Sequence, residues 1–360
     1  MRTQRMASVC KGQPLSVGLD VHLKQWTVTV RGADTELAHF VAPPDAAQLA
    51  AHLRRRYPGA VYRSAYEAGF SGFWIHRELE KQGIANLVVH SPDVPTTHKE
   101  RHAKEDRRDS RKLARELESD NLTGVFIPTP AQEHLRSLCR ARRRLAGDGR
   151  RLKCRIKALF HLAGIGLPEN CEIKHWSRRF LAHLETFANS NEPWSRCLRL
   201  WLDVLGDQRR QLSQATRTLR AGVRRDGDPE LVRLLATLPG IAWIAAVTLA
   251  TELIDIRRFR SLDHLAAFVG LVPATHSSGD TEVTAGLTTR ANPVVRHVII
   301  EAAWIAVRTD PELSQDFVRL CRRMRRTQAI VRIARKLLNR IACVWRNRRA
   351  YRPGVISQEP

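Results

Sequence analysis

The sequence contains no C-x-x-C pair. Its seven cysteines (Cys10, Cys139, Cys154, Cys171, Cys197, Cys321 and Cys343) are scattered and odd in number, which excludes a disulfide framework or a zinc site and reads as reduced, partly buried thiols. Long apolar runs are missing too. The longest, Ile241 to Ala250, has the length of a core helix and falls short of the roughly 20 residues that a bilayer span needs, so no membrane partner is expected. No apolar stretch of signal-peptide length follows the charged start Met1-Arg2-Thr3-Gln4-Arg5 before Asp20, and a cytoplasmic location is expected. Acid is the scarce charge: 36 Asp+Glu stand against 60 Lys+Arg, a net +24 over 360 residues. Such an excess, mostly arginine, points to a polyanionic partner, because each neutralised phosphate releases counterions and the planar guanidinium fork matches phosphate geometry. The length suits two or three domains, each with its own core.

Within this basic chain one acidic spacing organises the rest. In His102-Ala103-Lys104-Glu105-Asp106-Arg107-Arg108-Asp109-Ser110 two carboxylates stand three residues apart, which on a helix puts both on one face. Crowded acids resist joint ionisation, and a divalent cation holds such a pair in a shared site. The competing reading is a solvated helix whose Asp106 and Asp109 pair with Arg107, Arg108 and Arg111.

The residues before that helix read as a series of strands and helices, with clear alternation in Gln25 to Val30. Ser16 to Asp20, Gln25 to Val30, Glu36 to Val41, Ala60 to Ala65 and Asn86 to His90 read as five strands, with helices from Asp45 to Arg56 and around Phe73, Ile75 and Leu79. Strand, strand, strand, helix, strand, helix, strand, helix is the order of a ribonuclease-H-like fold. Asp20 then lies on the first strand, Glu67 just past the fourth, and Asp106 and Asp109 on the later helix, the layout by which such folds converge carboxylates on two metal ions for phosphodiester chemistry.

From about Pro128 to Asp228 the pattern turns helical. Leu135, Leu138, Leu145, Leu152, Ile156 and Leu159 recur amid arginines, and a second helix runs from about Trp194 to Arg224, with a looser segment from Gly164 to Asn191 between them. The pair reads either as an antiparallel arm or coiled-coil dimerisation element, or as a helical linker with a basic face. Farther on, Leu238-Pro239-Gly240-Ile241 between apolar helices resembles a helix-hairpin-helix whose amides face a phosphate; a plain turn is the alternative. Serines beside glycine in Ser277-Ser278-Gly279 read, on their own, as a turn.

Taken together, these residues resemble the insertion sequence 110 family of DNA transposases. The resemblance is carried by Gly18-Leu19-Asp20-Val21, Tyr66-Glu67-Ala68, Asp106-x-x-Asp109 with Leu113-Ala114, Leu238-Pro239-Gly240-Ile241, Gly270-Leu271-x-Pro273 leading to Ser277-Ser278-Gly279, Asn292 with Arg296 and Glu301-Ala302-Ala303, and Ala334-Arg335-Lys336-Leu337. These matches run in order over nearly all of residues 16 to 351. The chain departs from the family at Ala291, where Gly is common, and at Asp280, where a second Gly is.

The resemblance implies an α/β plus α architecture. Residues 1–125 would be a RuvC-like domain bearing the D-E-D-D set, 126–228 a helical arm, 229–351 a mainly helical transposase domain with an essential serine, and 352–360 a tail. It further implies a recombinase that excises and inserts its element without the usual target duplications, acting on donor and target duplex DNA, in several members directed by a non-coding RNA. The expected machinery is Asp20, Glu67, Asp106 and Asp109 holding Mg²⁺, and Ser278 as nucleophile, with Ser277 the alternative. Arg290, Arg296 and Arg335 are candidates for phosphate neutralisation or for positioning roles. A homodimer or homotetramer is expected, since recombining two duplexes takes several strand cleavages. Rival readings are a metal nuclease or junction resolvase using only the acids, and a non-catalytic nucleic-acid-binding protein.

Overall fold

Alternating β-branched and polar residues near the start of the chain form a five-stranded mixed sheet. In the computed structural model, which describes residues 12–95, 106–166, 176–278 and 281–353, the strands are β1 (Pro14–Val21), β2 (Trp26–Gly32), β3 (Thr35–Ala42), β4 (Val61–Glu67) and β5 (Ala85–Val89). Their order across the sheet is β3-β2-β1-β4-β5. β1 pairs antiparallel with β2, and β2 with β3, as hairpin connections allow. β1 with β4, and β4 with β5, are parallel, which requires crossover helices. These are α1 (Ala46–Arg56), started by Asp45 accepting from the amides of Ala47 and Gln48, and α2 (Trp74–Lys81). Leu49, Leu53, Ile75 and Leu79 from the two helices join Val17, Leu19, Trp26, Val28 and Val30 in one core.

A third helix, α3 (Asp106–Glu118), lies over β1, β2 and β4. Its seat is sterically defined. A Cβ at Gly18 would fall 2.0 Å from the Ser110 carbonyl oxygen and 2.5 Å from the Ala114 amide, so only glycine lets the helix approach β1 this closely. The buried Ser110 and Thr29 hydroxyls share a 2.9 Å hydrogen bond beside that contact. Glu67 is the last residue of β4 and lies inside the strand rather than just past it.

Residues 1–127 form one compact unit and 128–360 a second. The second begins with α4 (Pro130–Ala163), capped by a reciprocal Thr129/Gln132 box and closed by Gly164 in the left-handed conformation. It packs along α6 (Ser195–Asp226). Leu135 lies near Gly222, Arg142 bonds Thr216, Gln208 bonds the Leu145 carbonyl and Arg155 stacks on Trp201, so the two helices run antiparallel. Much of the leucine seam is spent inside this hairpin, the tip of which carries its own core of Ile156, Phe160, Leu198 and Leu202. The segment read as loose between the two helices contains α5 (Arg178–Ala188), capped by Ser177. Phe180 and Leu184 of that helix are fully buried in the tip, and burial of about 1.5–3 kcal/mol per such side chain holds a helix too short to persist alone.

The base of the hairpin joins a larger helical core with α7 (Pro229–Leu235), α8 (Trp243–Leu253), α9 (Leu262–Val269), α10 (Pro293–Thr309), α11 (Pro311–Cys321) and α12 (Arg326–Asn347). The Leu-Pro-Gly-Ile turn joins α7 to α8. Gly240 has a φ of +76°, and a Cβ there would meet the Ala302 backbone of α10 at 2.4 Å; Leu238 and Ile241 are buried on either side. The one two-stranded ribbon among the described residues, β6 (Pro273–Ser278) with β7 (Thr281–Leu287), stands between α9 and α10 in sequence. No described helix is long and apolar enough to cross a membrane. Cys139, Cys154, Cys197, Cys321 and Cys343 are free thiols, whereas Cys10 and Cys171 lie outside the described residues.

Candidate acid site and serine ribbon

Strand register brings two of the expected acids together. Leu19 of β1 pairs with Tyr66 of β4 in a parallel ladder, so Asp20 and Glu67 are neighbours at the carboxyl ends of adjacent strands. Side chains two residues apart share a face of a sheet. Asp20 therefore shares the face of Gly18, against which α3 rests, and Glu67 shares that of Ala65, the partner of Gly18.

The direction of α3 follows from contacts at its other end. Glu118 accepts from Arg31 at 2.6 Å, and Arg31 pairs with Ser16 near the start of β1. Just beyond the helix, Asp120 accepts from Arg63 near the start of β4 at 2.5 Å. Ser110 sits over Gly18 in mid-strand. The helix thus runs opposite to β1, and its first turn, which carries Asp106 and Asp109, lies toward the strand ends where Asp20 and Glu67 stand. Arg111, one of the cations read as a possible partner of those aspartates, is bidentate to Glu36 of β3 at 2.9 and 3.1 Å, and that bond holds Glu36 below its usual carboxylate range. His22, not singled out in the sequence, reaches Asp20 with its Nε2 3.1 Å from the carboxylate.

For a metal, the donor set is the relevant observation. Asp20, Glu67 and Asp109 offer hard carboxylate oxygens of the kind magnesium and calcium take, set about one end of the sheet by backbone placement. Among the described residues no group of three His, Cys, Asp or Glu side chains is gathered closely enough to hold an ion; the side chain of Asp106 lies outside that description. The residue types suit a divalent cation, while the described side chains do not by themselves gather into a closed ligand set.

The expected serine lies in the other unit. Pro273 pairs with Leu287 at the base of the β6–β7 ribbon, and Ser277 with Glu282 and Ser278 with Thr281 at its far end. Both serines are thus at the tip, next to Gly279 and Asp280, which lie outside the described residues, as do the serine side chains.

What holds the foot of this ribbon was not read from the sequence. Arg296 donates to the Thr288 carbonyl at 2.8 Å and to that of Gly270 at 3.5 Å, clasping both strands' approaches. This is a positioning contact for one of the arginines considered for phosphate; another, Arg335, pairs with Asp263 at 2.5 Å. Gly270 ends α9 with a φ of +79°, and a Cβ there would come within 2.3 Å of the Ala291 methyl. An alanine at 291 in place of the family's glycine thus makes the glycine at 270 doubly necessary. Asn292 caps α10 by accepting from the amides of Val294 and Val295, and its Nδ2 donates to Glu252 at 3.0 Å.

Glu252, at 2 % exposure, is the deepest acid in this network. Arg140 of α4 grips both its oxygens at 2.7 Å. Burial pushes the Glu252 carboxyl up, but the bonds from Arg140 and Asn292 and the nearby positive charge outweigh it and hold the group below its ordinary 4.5. The bonded partners stand 112 and 40 residues away in sequence, beyond any local motif. The available signal was a glutamate closing the apolar run of α8.

The comparisons with known proteins fall on both units. A family model described as Transposase IS116/IS110/IS902 family matches residues 232–319, and the DEDD transposase model of the IS110 group matches residues 17–165. A Sinorhizobium fredii protein described as a transposase, y4rJ, is 28 % identical over 361 residues, 89 % of each chain. A Pseudomonas aeruginosa protein described as a family 20 transposase is 27 % identical over 81 % of this chain and 84 % of its own. The transposase for insertion sequence element IS1111A of Coxiella burnetii is 25 % identical over 65 % of this chain and 63 % of its own. These matches fall on both units and lead to one conclusion: the chain belongs to the IS110 family of DEDD transposases.

Proposed function

We propose that this protein is a Mg²⁺-dependent DNA recombinase that excises and inserts an insertion sequence, with a serine nucleophile and with its target chosen by a non-coding RNA. The observation that carries the reading is the neighbouring register of Asp20 and Glu67 at the ends of two parallel strands, under the end of α3 that bears Asp106 and Asp109. The strand order, with its antiparallel β3-β2-β1 half and parallel β1-β4-β5 half, supports a ribonuclease-H-like, RuvC-like domain over residues 1–125. A helical arm over 126–228, a transposase domain over 229–351 and a tail over 352–360 complete the proposed division. The tight Leu238–Ile241 turn between two helices supports the helix-hairpin-helix reading.

Asp20, Glu67, Asp106 and Asp109 would hold the metal. When bound, Mg²⁺ would withdraw charge from a scissile phosphate. The chain's own residues do the rest. A serine hydroxyl is a weak nucleophile until nearby cations or a base favour its alkoxide. At a ribbon tip the Ser278 oxygen can be offered to a phosphodiester: the new O–P bond forms as the bond to the leaving deoxyribose oxygen breaks, and that oxygen takes the proton. The resulting phosphoserine link keeps the bond energy for rejoining. Arg296, Asn292 and Glu252 hold the foot of the ribbon so that its tip is aimed rather than free. Reading the target through base pairing to an RNA leaves the protein with backbone contacts, for which a charge of +24 suffices. Two duplexes require several cleavages, hence a homodimer or homotetramer.

Strand cleavage and transfer by the full chain with its own element's ends test this. Asp20→Asn reduces both to background and weakens Mg²⁺ binding, and Ser277→Ala with Ser278→Ala abolishes the covalent protein–DNA adduct. Persisting strand transfer in the double serine variant would favour a nuclease that uses only the acids. Unchanged Mg²⁺ affinity and recombination in Asp20→Asn would favour a protein whose acids are structural.

A further inference from the structure

Beside the Leu-Pro-Gly-Ile turn the second unit has a cleft of about 330 Å³ between the last turns of α6 and the α7–α8 pair. Its floor includes Val223 and Val232, both buried, and the half-buried ring of Trp243 at the start of α8. Around it stand the exposed arginines Arg220, Arg224 and Arg233. The Arg220 guanidinium lies 4.8 Å from the centre of the Trp243 ring. Arg233 is bidentate to the exposed Glu230 at 2.6 and 3.1 Å, but no acid lines the cleft itself.

An apolar floor with an aromatic face suits a planar base, and a rim of guanidinium groups suits the phosphates on either side of it. The volume is near the lower limit of about 300–1,000 Å³ for ligand pockets, enough for one unstacked nucleotide and too narrow for a duplex. Because every base has a π-face, stacking on tryptophan is tolerant of sequence, and the stacked Arg220 can shift to a phosphate once a base takes its place. We propose that this cleft captures a single unpaired nucleotide of a nucleic-acid strand, with the base on Trp243 and the flanking phosphates on Arg224 and Arg220. Its occupant comes from single-stranded DNA or RNA. The inference needs neither the acids nor the serine.

The test is equilibrium binding of fluorescent dT15, rU15 and a 15-base-pair duplex to the full chain without divalent metal, so that a failure of the strand chemistry proposed above leaves it untouched. Trp243→Leu keeps apolar bulk and removes the aromatic face; it is expected to lower affinity for one or both single strands about tenfold while changing duplex affinity less than twofold. Trp243→Phe should stay within about threefold of the wild type. Arg224→Gln should flatten the salt dependence of single-strand binding by about 0.7 in the log–log slope. The strand more weakened by Trp243→Leu, dT15 or rU15, identifies the source. Single-strand binding by Trp243→Leu equal to the wild type, or an equal loss for duplex and single strands, overturns the proposal. Melting curves for Trp243→Leu and Trp243→Phe keep a folding defect apart from a binding defect.

Discussion

The two units position their candidate groups by different physics. In the sheet unit, Asp20 and Glu67 are carried by main-chain register, and α3 is seated by the absence of a side chain at Gly18. In the helical unit, the serine ribbon is an excursion whose foot is held by side chains, through Arg296 on two carbonyls and Asn292 on the buried Glu252, itself gripped by Arg140. The first arrangement rests on main-chain register and steric fit, with ion pairs such as Arg31–Glu118 and Arg111–Glu36 added around it. The second is electrostatic, so pH and single charge deletions reach it.

The sharpest way to break the comparison is at Gly18. Gly18→Val places a side chain into the Ser110 and Ala114 backbone, which cannot yield as a flexible side chain would. The expected cost is about 3 kcal/mol or more, seen as an early melting step. Even if the variant folds, displacement of α3 should remove strand cleavage. A Gly18→Val protein that melts and cleaves like the wild type would mean that α3 does not need this seat.

On the electrostatic side, Arg140→Met leaves Glu252 buried with only the Asn292 bond. Loss of one partner of a fully buried pair typically costs about 3–5 kcal/mol; here Glu252 is buried but the Arg140 side chain is 47 % exposed, and with the remaining amide and the nearby Arg136 charge the loss should be about 2 kcal/mol. The pH dependence follows from the depressed carboxyl of Glu252. A group whose folded pKa lies below its unfolded value contributes stability that is present above the unfolded value and lost as pH falls through the folded one. Urea denaturation should therefore show a stability difference between wild type and Arg140→Met that is largest near neutral pH and shrinks as pH falls toward and below the ordinary 4.5. A difference independent of pH down to 3 would assign the loss to packing of the arginine stem.

How much of this was legible in the sequence also divides along the same line. The strand pattern, a local property, gave the strands and the order in which Asp20 and Glu67 fall on them, whereas the register that makes the two neighbours joins segments far apart in sequence. The spacing of Asp106 and Asp109 gave their shared helical face. Helix α5 could not be read the same way: its 11 residues depend on Phe160 and Leu198 for a surface to bury Phe180 and Leu184, and propensity alone does not show that. Nor could the grip of Arg140 on Glu252, which joins residues 112 apart and has meaning only once α4 and α8 are packed together. The role of Arg296 was likewise open until its carbonyl partners appeared.

The smallest expected effect concerns Tyr351, which ties the chain after α12 back onto the helical unit. Its amide donates to Thr237 beside the Leu-Pro-Gly-Ile turn at 2.8 Å, and its hydroxyl donates to the buried Asp310 at 2.5 Å. Arg340 donates to both Asp310 and the Tyr351 oxygen. Burial and the bond to Asp310 raise the phenol well above its ordinary 10. The sign is opposite to that of Glu252: a raised folded pKa contributes stability that is full below the unfolded value and lost as pH rises through the folded one. Tyr351→Phe should thus cost about 1 kcal/mol near neutrality, a difference that persists from pH 7 to the ordinary 10 and shrinks above it. Measured beside Arg140→Met, it brackets the helical unit with one acidic and one alkaline limit. If the Phe variant matched the wild type at every pH, the backbone bond to Thr237 alone would be holding this segment.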